Sequence, residues 1–386
     1  ISFPGQGNYE PLDLLGRPSM LNIDGKEVRQ KGYITDELTD FAEEWLTARS
    51  SDQPFFMVLS HKGLHAPFRP AERHLGLYGD IAAAKSQPAS DPDWTPMWVR
   101  AQQNSWHGTT FAYHDSFDPR RWRQQYLRTL ASVEESTARI VRLLEQRGMA
   151  DNTIIIYTSD NGFMEGEKGL IDKRTAYEAS MRVPMIAWGP GRVDPGQRKQ
   201  MVLNTDLTPT IIDLAGLVPP PTLDGQSFAG LLSAGGANAE GREGFVYEYY
   251  WEYNYPHTPT TFALRTDRFK FIQYHGVWDL EELFDLAADP DETRNLVHAP
   301  EYQEMVWAMR ERLHDELAAQ SGARNIPYTR RVNQGAVFRL DQGDHPLGFP
   351  QGWLRERGAQ DRLEHILPDG PAKERQLEML NRAFKD

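Results

Sequence analysis

Between residues 157 and 178 the chain reads YTSDNGFMEGEKGLIDKRTAYE, and its polar groups are of types that handle a hard cation and an anion. Asp160 and Asn161 offer a carboxylate and an amide at adjacent positions, oxygen donors that suit Ca²⁺ or Mg²⁺ rather than a soft metal. Gly162 lets the backbone turn away at once. Asp-Asn-Gly is also a good turn sequence in its own right, so the pattern leaves both readings open. Lys173 follows thirteen positions later, a flexible ammonium suited to an oxyanion. Most lysines simply face water, and Lys173 has that alternative too. Lys168 and Arg174 add positive charge to the same stretch.

His61 and His65 form an H-x-x-x-H pair, which on a helix would be a zinc spacing. Gly63 and Pro67 argue instead for a loop. In that setting His65 suits a general acid, since a neutral-range pKa fits delivery of a proton to a leaving group. A hydrogen-bonded structural histidine is the competing reading. His107 in SWHG and His257 in YPHTPT are each flanked by aromatic residues. An aromatic face with a polar tip can grip a sugar ring, although such pairs are more often ordinary packing.

Elements must place these groups. The apolar run from Thr153 to Tyr157 predicts a buried strand ending near Asp160, and PFFMVLS (54–60) predicts another ending at HKGLHAPFRP. VPMIAWG (183–189) predicts a third. A helix should start at Thr35 and present Leu38, Phe41, Ala42, Trp45 and Leu46 on one face. A longer one should cover 121–147, with Leu127, Leu130, Ile140, Val141 and Leu144 inside and Gly148 as its stop. Thr208 and Pro209 should open a short helix that Gly216 ends. This alternation reads as α/β, a mostly parallel sheet flanked by helices, with ligand sites at the carboxyl ends of strands.

The Pro-, Gly- and Ala-rich stretch 219–244 marks a boundary, giving a catalytic α/β portion over 1–235 and a smaller α+β portion over 236–386. FVYEYYW, TFALRTD and RFKFIQYHG predict a small antiparallel sheet, followed by a helix near 300–318 and an extended polar tail.

Bulk properties narrow the function. A net charge of −13 over 386 residues argues against a nucleic-acid binder. No apolar run approaches the roughly 18 residues needed to span a bilayer. Cysteine is absent, which excludes disulfides, thiolate metal sites and a cysteine nucleophile within these residues. The opening ISFPGQGNYE contains no readable signal peptide and looks like the middle of a protein.

The motifs together resemble a known family. YTSDNGFMEGEKGLIDKRTAYEASMRVPMIAWGPG resembles the C-terminal signature of the type I sulfatases, members of the alkaline phosphatase superfamily. LNTDLTPTIIDLAGLVPPPTLDGQSF, ELFDLAADPDETRNL and PFFMVLSHKGLHAPFRPAERH resemble three further segments of that family, in the right order. The resemblance implies an alkaline-phosphatase-like fold with Asp160 and Asn161 among the Ca²⁺ ligands. It implies Lys173 on the sulfate oxygens and His65 protonating the leaving alcohol or touching the sulfate. Lys168 stands where many relatives carry histidine. Family members attack sulfur with a formylglycine hydrate and cleave the S–O bond. That group is made from Cys or Ser in a Cys/Ser-x-Pro-Ser-Arg motif, and the nearest stretch, GRPSM (16–20), lacks both the nucleophile and the arginine.

The sequence is therefore expected to be the C-terminal two-thirds or more of a sulfatase, beginning after the nucleophile segment. Residues from VYEYYW onward are most similar to bacterial N-acetylglucosamine-6-sulfatase-like enzymes. The implied substrate is a sulfated sugar, from a glycosaminoglycan or mucin, or an aryl sulfate. His107, Arg174 and His257 are the candidate substrate contacts, and the resemblance implies a periplasmic or secreted protein. Two other readings stand beside it. One is a sulfatase-like binding protein without catalysis. The other is a phosphodiesterase or phosphonate hydrolase of the same superfamily, whose members often have Asp-His-Gly in place of Asp160-Asn161-Gly162.

Overall fold

The computed structural model describes residues 1–321, except 4–6, 14, 51, 83–94, 104–107, 109–117, 234, 237–238, 253–254, 256 and 276–280. The expected polar tail and His107 fall outside the described residues. Near the start, β1 (Met20–Ile23) and β2 (Lys26–Arg29) form an antiparallel hairpin with Met20 opposite Arg29. Asp24 and Gly25 both have positive φ (51° and 84°), the geometry that a two-residue hairpin turn requires.

Helix α1 (Ile34–Ala48) starts just ahead of the expected Thr35, which lies buried inside its first turn. Glu37 reaches back to accept from the amides of Lys31 and Gly32 at 3.0 and 3.2 Å, so it satisfies donors ahead of the helix in place of a side-chain N-cap. Helix α2 spans Met97–Gln102 and α3 spans Pro119–Gln146. Asp118 caps α3 by accepting from the Arg120 amide at 2.9 Å, and Gly148 beyond its end has φ +65°. Asp118→Ala is expected to cost about 1 kcal/mol in urea unfolding.

Only Leu144 of the five apolar residues expected inside α3 is fully buried. The buried stripe is Thr129, Ala131, Ser132, Val133 and Ser136. Small polar residues meet across the α1–α3 seam, where Thr39 Oγ1 donates to Ser136 Oγ at 2.6 Å. His61 closes that seam, its Nε2 lying 3.0 Å from Ser136 Oγ, and burial pushes its pKa down to about 4.

The strand expectations need correction. β3 (Ile155–Thr158) pairs antiparallel with β4 (Met185–Trp188), with Ile155 opposite Trp188. The chain between them returns directly, through α4 (Glu178–Met181) and a Gly162 amide to Ser180 carbonyl bond of 2.8 Å. No crossover helix is needed for such a pair. Residues 54–60 run extended but join no sheet ladder among the described residues. Phe55, Met57 and Leu59 pack inward, while Phe56 and Val58 are 63% and 74% exposed. Among the described residues every named strand pair is antiparallel.

Thr208 is likewise not an N-cap. Helix α5 (Leu207–Leu214) is entered through a 3₁₀ turn ending at Asp206, whose buried carboxylate accepts from the amides of Leu203 and Gln226 and pairs with Arg242. The carboxylate accepts from three partners, more than the two lone pairs of a threonine hydroxyl would serve.

The C-terminal sheet forms as its alternation predicts. Strands β5 (Gly244–Tyr249), β6 (Thr260–Thr266), β7 (Phe269–His275) and β8 (Glu281–Asp285) make an antiparallel meander in chain order. Phe262, Leu264, Phe271 and Leu283 pack on Val306, Met309, Leu313 and Leu317 of α6 (Gln303–Ser321). Ala263, Ile272, Tyr274 and Phe284 face the other way, onto Val99 of α2 and Met164, Leu170 and Tyr177. Each large side chain so buried contributes on the order of 1.5–3 kcal/mol. The loop leading from Asp160 to Lys173 is therefore seated on a sheet whose two faces are both covered.

Candidate functional site

Two turns carry the candidate chemistry. At the end of β3, Asn204 Nδ2 donates to the carbonyls of Ser159 and Asp160, each at 3.0 Å. Asp160 Oδ1 accepts from the Asn161 amide at 2.9 Å, leaving its carboxylate exposed. Gly162 is demanded by space, because a Cβ there would lie 2.3 Å from the Ala179 carbonyl oxygen.

The second turn spans Lys62 to His65, where the His65 amide donates to the Lys62 carbonyl at 2.7 Å. Tyr9 OH clamps it by donating to the His65 carbonyl at 2.7 Å. His65 Nδ1 lies 2.6 Å from the Ala66 carbonyl, so Nδ1 carries the proton and Nε2 is left to act. Burial lowers the His65 pKa, and the charges of Lys173 and Lys62 lower it further. The bond to Ala66 and the charge of Asp160 oppose them. An aromatic cluster ties the turns together: Phe68 meets Trp122 and Phe163 edge-on at 4.9 and 6.1 Å, and Trp122 stacks on Phe163 at 6.4 Å.

The charges of Lys173, Lys62 and Asp160 all act on His65, and of these Lys62 was missed by sequence reasoning. Lys173 is half-buried. Arg174 stacks on Tyr255 at 3.4 Å and bonds Asp172 at 2.7 Å and Glu252 at 3.3 Å. His257 is exposed in the turn between β5 and β6, and no hydrogen bond or ion pair among the described residues joins it to His65 or Lys173.

Lys168 lies elsewhere. Buried under the C-terminal sheet, it donates from Nζ to the Glu292 carbonyl and sits over the rings of Tyr177 and Phe284 at 4.5 and 5.1 Å. Tyr177 OH donates to Glu282 Oε2 at 2.9 Å, and Tyr274 OH donates to the same oxygen. Burial pushes the Glu282 pKa up to about 7, against the charge of Lys168 and the two tyrosine bonds. Lys270 Nζ bridges Glu178 and Glu292 at 2.7 Å each. A cleft of about 590 Å³ opens beside this network between Lys168, Glu178, Arg182 and Glu292, and none of His65, Lys173 or Asp160 lines it. The network ties the loop that bears Lys173 to the C-terminal sheet.

The donors at Asp160 and Asn161 are of the right type for Ca²⁺. No group of three or more His, Cys, Asp or Glu among the described residues is placed to hold a metal, however. One carboxylate and one amide fall short of the six to eight oxygens that Ca²⁺ takes.

Comparison with known proteins settles the class. The family model described as sulfatase matches residues 5–217, and that described as N-sulphoglucosamine sulphohydrolase, C-terminal, matches residues 166–319. The chain belongs to the sulfatase family. It is 30% identical to an N-acetylglucosamine-6-O-sulfatase of Bacteroides thetaiotaomicron, over 72% of this chain and 60% of that protein. It is 34% identical to the N-acetylglucosamine-6-sulfatase of Bos taurus, over 60% of this chain and 42% of the relative. A solved structure in complex with its substrate D-glucosamine-2-N,6-O-disulfate superposes with a TM-score of 0.71 at 28% identity, covering 84% of this chain and 76% of that one. The fold is thus that of the sulfatases, and the chain spans about half of the length of the two curated relatives.

Proposed function

We propose that this chain carries the sulfate-holding part of a sulfatase site and acts in the hydrolysis of a sulfate ester on an amino sugar, of the N-acetylglucosamine 6-sulfate type. The observation that carries this is the grouping of a proton-bearing imidazole, a half-buried ammonium and a carboxylate at His65, Lys173 and Asp160. Lys173 binds the sulfate oxygens and balances charge that builds on them. His65, kept neutral by burial and by two lysines, gains a proton on Nε2 more readily once an anion offsets those lysines. It then stands ready to protonate the departing sugar oxygen. Arg174, stacked on Tyr255, and His257 contact the sugar, with His107 as a further contact. Names of relatives acting on glucosamine sulfates support this choice of substrate.

Asp160 and Asn161 would hold Ca²⁺, together with oxygens beyond those described. In this family Ca²⁺ supplies positive charge beside the sulfate, and a formylglycine supplies the nucleophile. A periplasmic or secreted location accords with the resemblance. Among the described residues no helix is long and apolar enough to cross a membrane.

Sulfate release from N-acetylglucosamine 6-sulfate, measured with the protein and Ca²⁺, tests the reading. Lys173→Ala is expected to lower kcat/KM by about 10²- to 10³-fold, the scale of losing one transition-state contact. Release of a phosphonate or phosphodiester product with no sulfate release would point to the other branch of the superfamily.

A further inference from the structure

From Lys168 to Tyr177 every residue is buried except Lys173 and Arg174, which are half-buried. The segment is set into the protein along its length and lets out two cations. Its own backbone shapes it, since the Met164 amide donates to the Asp172 carbonyl and the Gly166 amide to the Leu170 carbonyl, at 2.8 and 2.9 Å. Both bonds lie within the loop, so they do not fix Lys173 relative to the rest of the molecule.

The anchoring bonds converge on one residue in the turn after β8. Lys168, five positions before Lys173, donates from Nζ to the Glu292 carbonyl. Glu178, five positions after Lys173, donates its amide to Glu292 Oε2 at 2.7 Å. The other carboxylate oxygen of Glu292 takes Lys270 Nζ at 2.7 Å, and the same ammonium lies 2.7 Å from Glu178 Oε1. Glu292 therefore holds the loop on both sides of Lys173, by its main chain on one side and its side chain on the other. Lys270 of β7 backs the second hold.

Backbone conformation points to the same pair. Glu292 has φ +55° and Lys168 φ +53°, in the left-handed region that favours glycine. Residues with a Cβ stay there only where their surroundings over-determine them. Glycine at either position would relieve the strain, but it would delete the Lys168 ammonium or the Glu292 carboxylate, and one hold with it.

We infer that Glu292 is a positioning residue for Lys173, which sets where the ammonium meets the sulfate by holding Lys168 and Glu178. This rests on the proposed sulfatase reading of the site. Glu292 acts through the loop and needs no contact with substrate.

The test is a double-mutant cycle on sulfate release from N-acetylglucosamine 6-sulfate with Ca²⁺, run with the full chain below the unfolding range of every variant. Glu292→Met removes the carboxylate and keeps a stem of similar length, and Lys270 retains Glu178 at 2.7 Å. Alone, it is expected to lower kcat/KM about ten- to a hundredfold, the scale of a misplaced catalytic group. In a Lys173→Ala background the same change should cost less than about twofold, because the group being positioned is gone. Glu292→Gln, which keeps an acceptor for the Glu178 amide, should recover most of the loss. Amide hydrogen exchange should quicken over residues 169–177 in Glu292→Met while β5 to β7 keep wild-type protection. If Glu292→Met does not fold, Lys168→Met releases the other side of the loop and carries the same cycle. An unchanged kcat/KM in the single variant, or an equal fall with and without Lys173, overturns this inference and leaves the sulfatase reading standing. Absence of sulfate release from the wild type overturns the sulfatase reading and this inference with it.

Discussion

Lys270→Met is expected to destabilise the fold by about 3–5 kcal/mol, the range for removing one member of a buried ion pair. Lys270 is fully buried, and its Nζ lies 2.7 Å from carboxylate oxygens of both Glu178 and Glu292. Methionine keeps the length of the stem but removes the ammonium bonded to the Glu292 carboxylate, which is 3% exposed and keeps the Glu178 amide at 2.7 Å. Glu178 retains Arg265 at 3.5 Å, so most of the cost should fall on Glu292. At about 2–4 °C per kcal/mol for a chain of this order, Tm should fall by about 6–20 °C in differential scanning calorimetry. Pairing the change with Glu292→Gln should restore part of the loss, since both charges then leave together. A drop below about 1 kcal/mol would mean that water reaches Glu292 and that the bridge does not hold the loop.

Stability should respond to pH through two buried groups that pull in opposite directions. His61 titrates at about 4 in the fold, because it is buried, against an ordinary value of 6.5. The unfolded chain therefore binds the extra proton first, and the stability present above pH 6.5 is lost as pH falls toward 4. Glu282 titrates at about 7 against an ordinary 4.5, again through burial. Its contribution is complete below pH 4.5 and is lost as pH rises through 7. Each amounts to roughly 3 kcal/mol between pH 4 and 7, at 1.36 kcal/mol per pKa unit. Because the windows mirror each other, the two nearly cancel in the wild type. Single variants should expose them. Relative to wild type, Glu282→Gln should gain roughly 3 kcal/mol as pH rises from 4 to 7, and His61→Asn should gain a similar amount as pH falls over the same range. Urea unfolding at three pH values checks both, and parallel curves for either variant would place that group in contact with water.

Much of this was readable from residue order. The alternation in β5, β6 and β7 gave their faces, and Gly148 marked the end of α3. Asp160 and Asn161 do follow directly on a strand end, as the break in the apolar run implied. Strand direction was not readable, because an apolar run has the same period whether its neighbour is parallel or antiparallel, and β3 and β4 turned out antiparallel. The hairpin at Asp24-Gly25 carried a clear turn signal that the Gly- and Pro-rich surroundings obscured. Lys62 and Lys168 were illegible for a different reason. Lys62 sits in a turn that Tyr9 clamps from 53 residues earlier, and what buries Lys168 is Glu292, 124 residues later. No local pattern records a partner at that separation.

The seating of residues 164–182 on the inner face of the C-terminal sheet has a consequence for engineering. Met164, Leu170 and Tyr177 pack on Ile272, Tyr274 and Phe284, while Lys168 and Glu178 reach Glu292 and Lys270. These residues are one cassette split in the sequence. A chimera that imports a relative's sheet alone would mismatch both the packing and the buried charges, and would move Lys173 with them. Transplanting 164–182 together with 244–321 keeps the cassette whole, so recombination between relatives should be tolerated at its borders rather than within it.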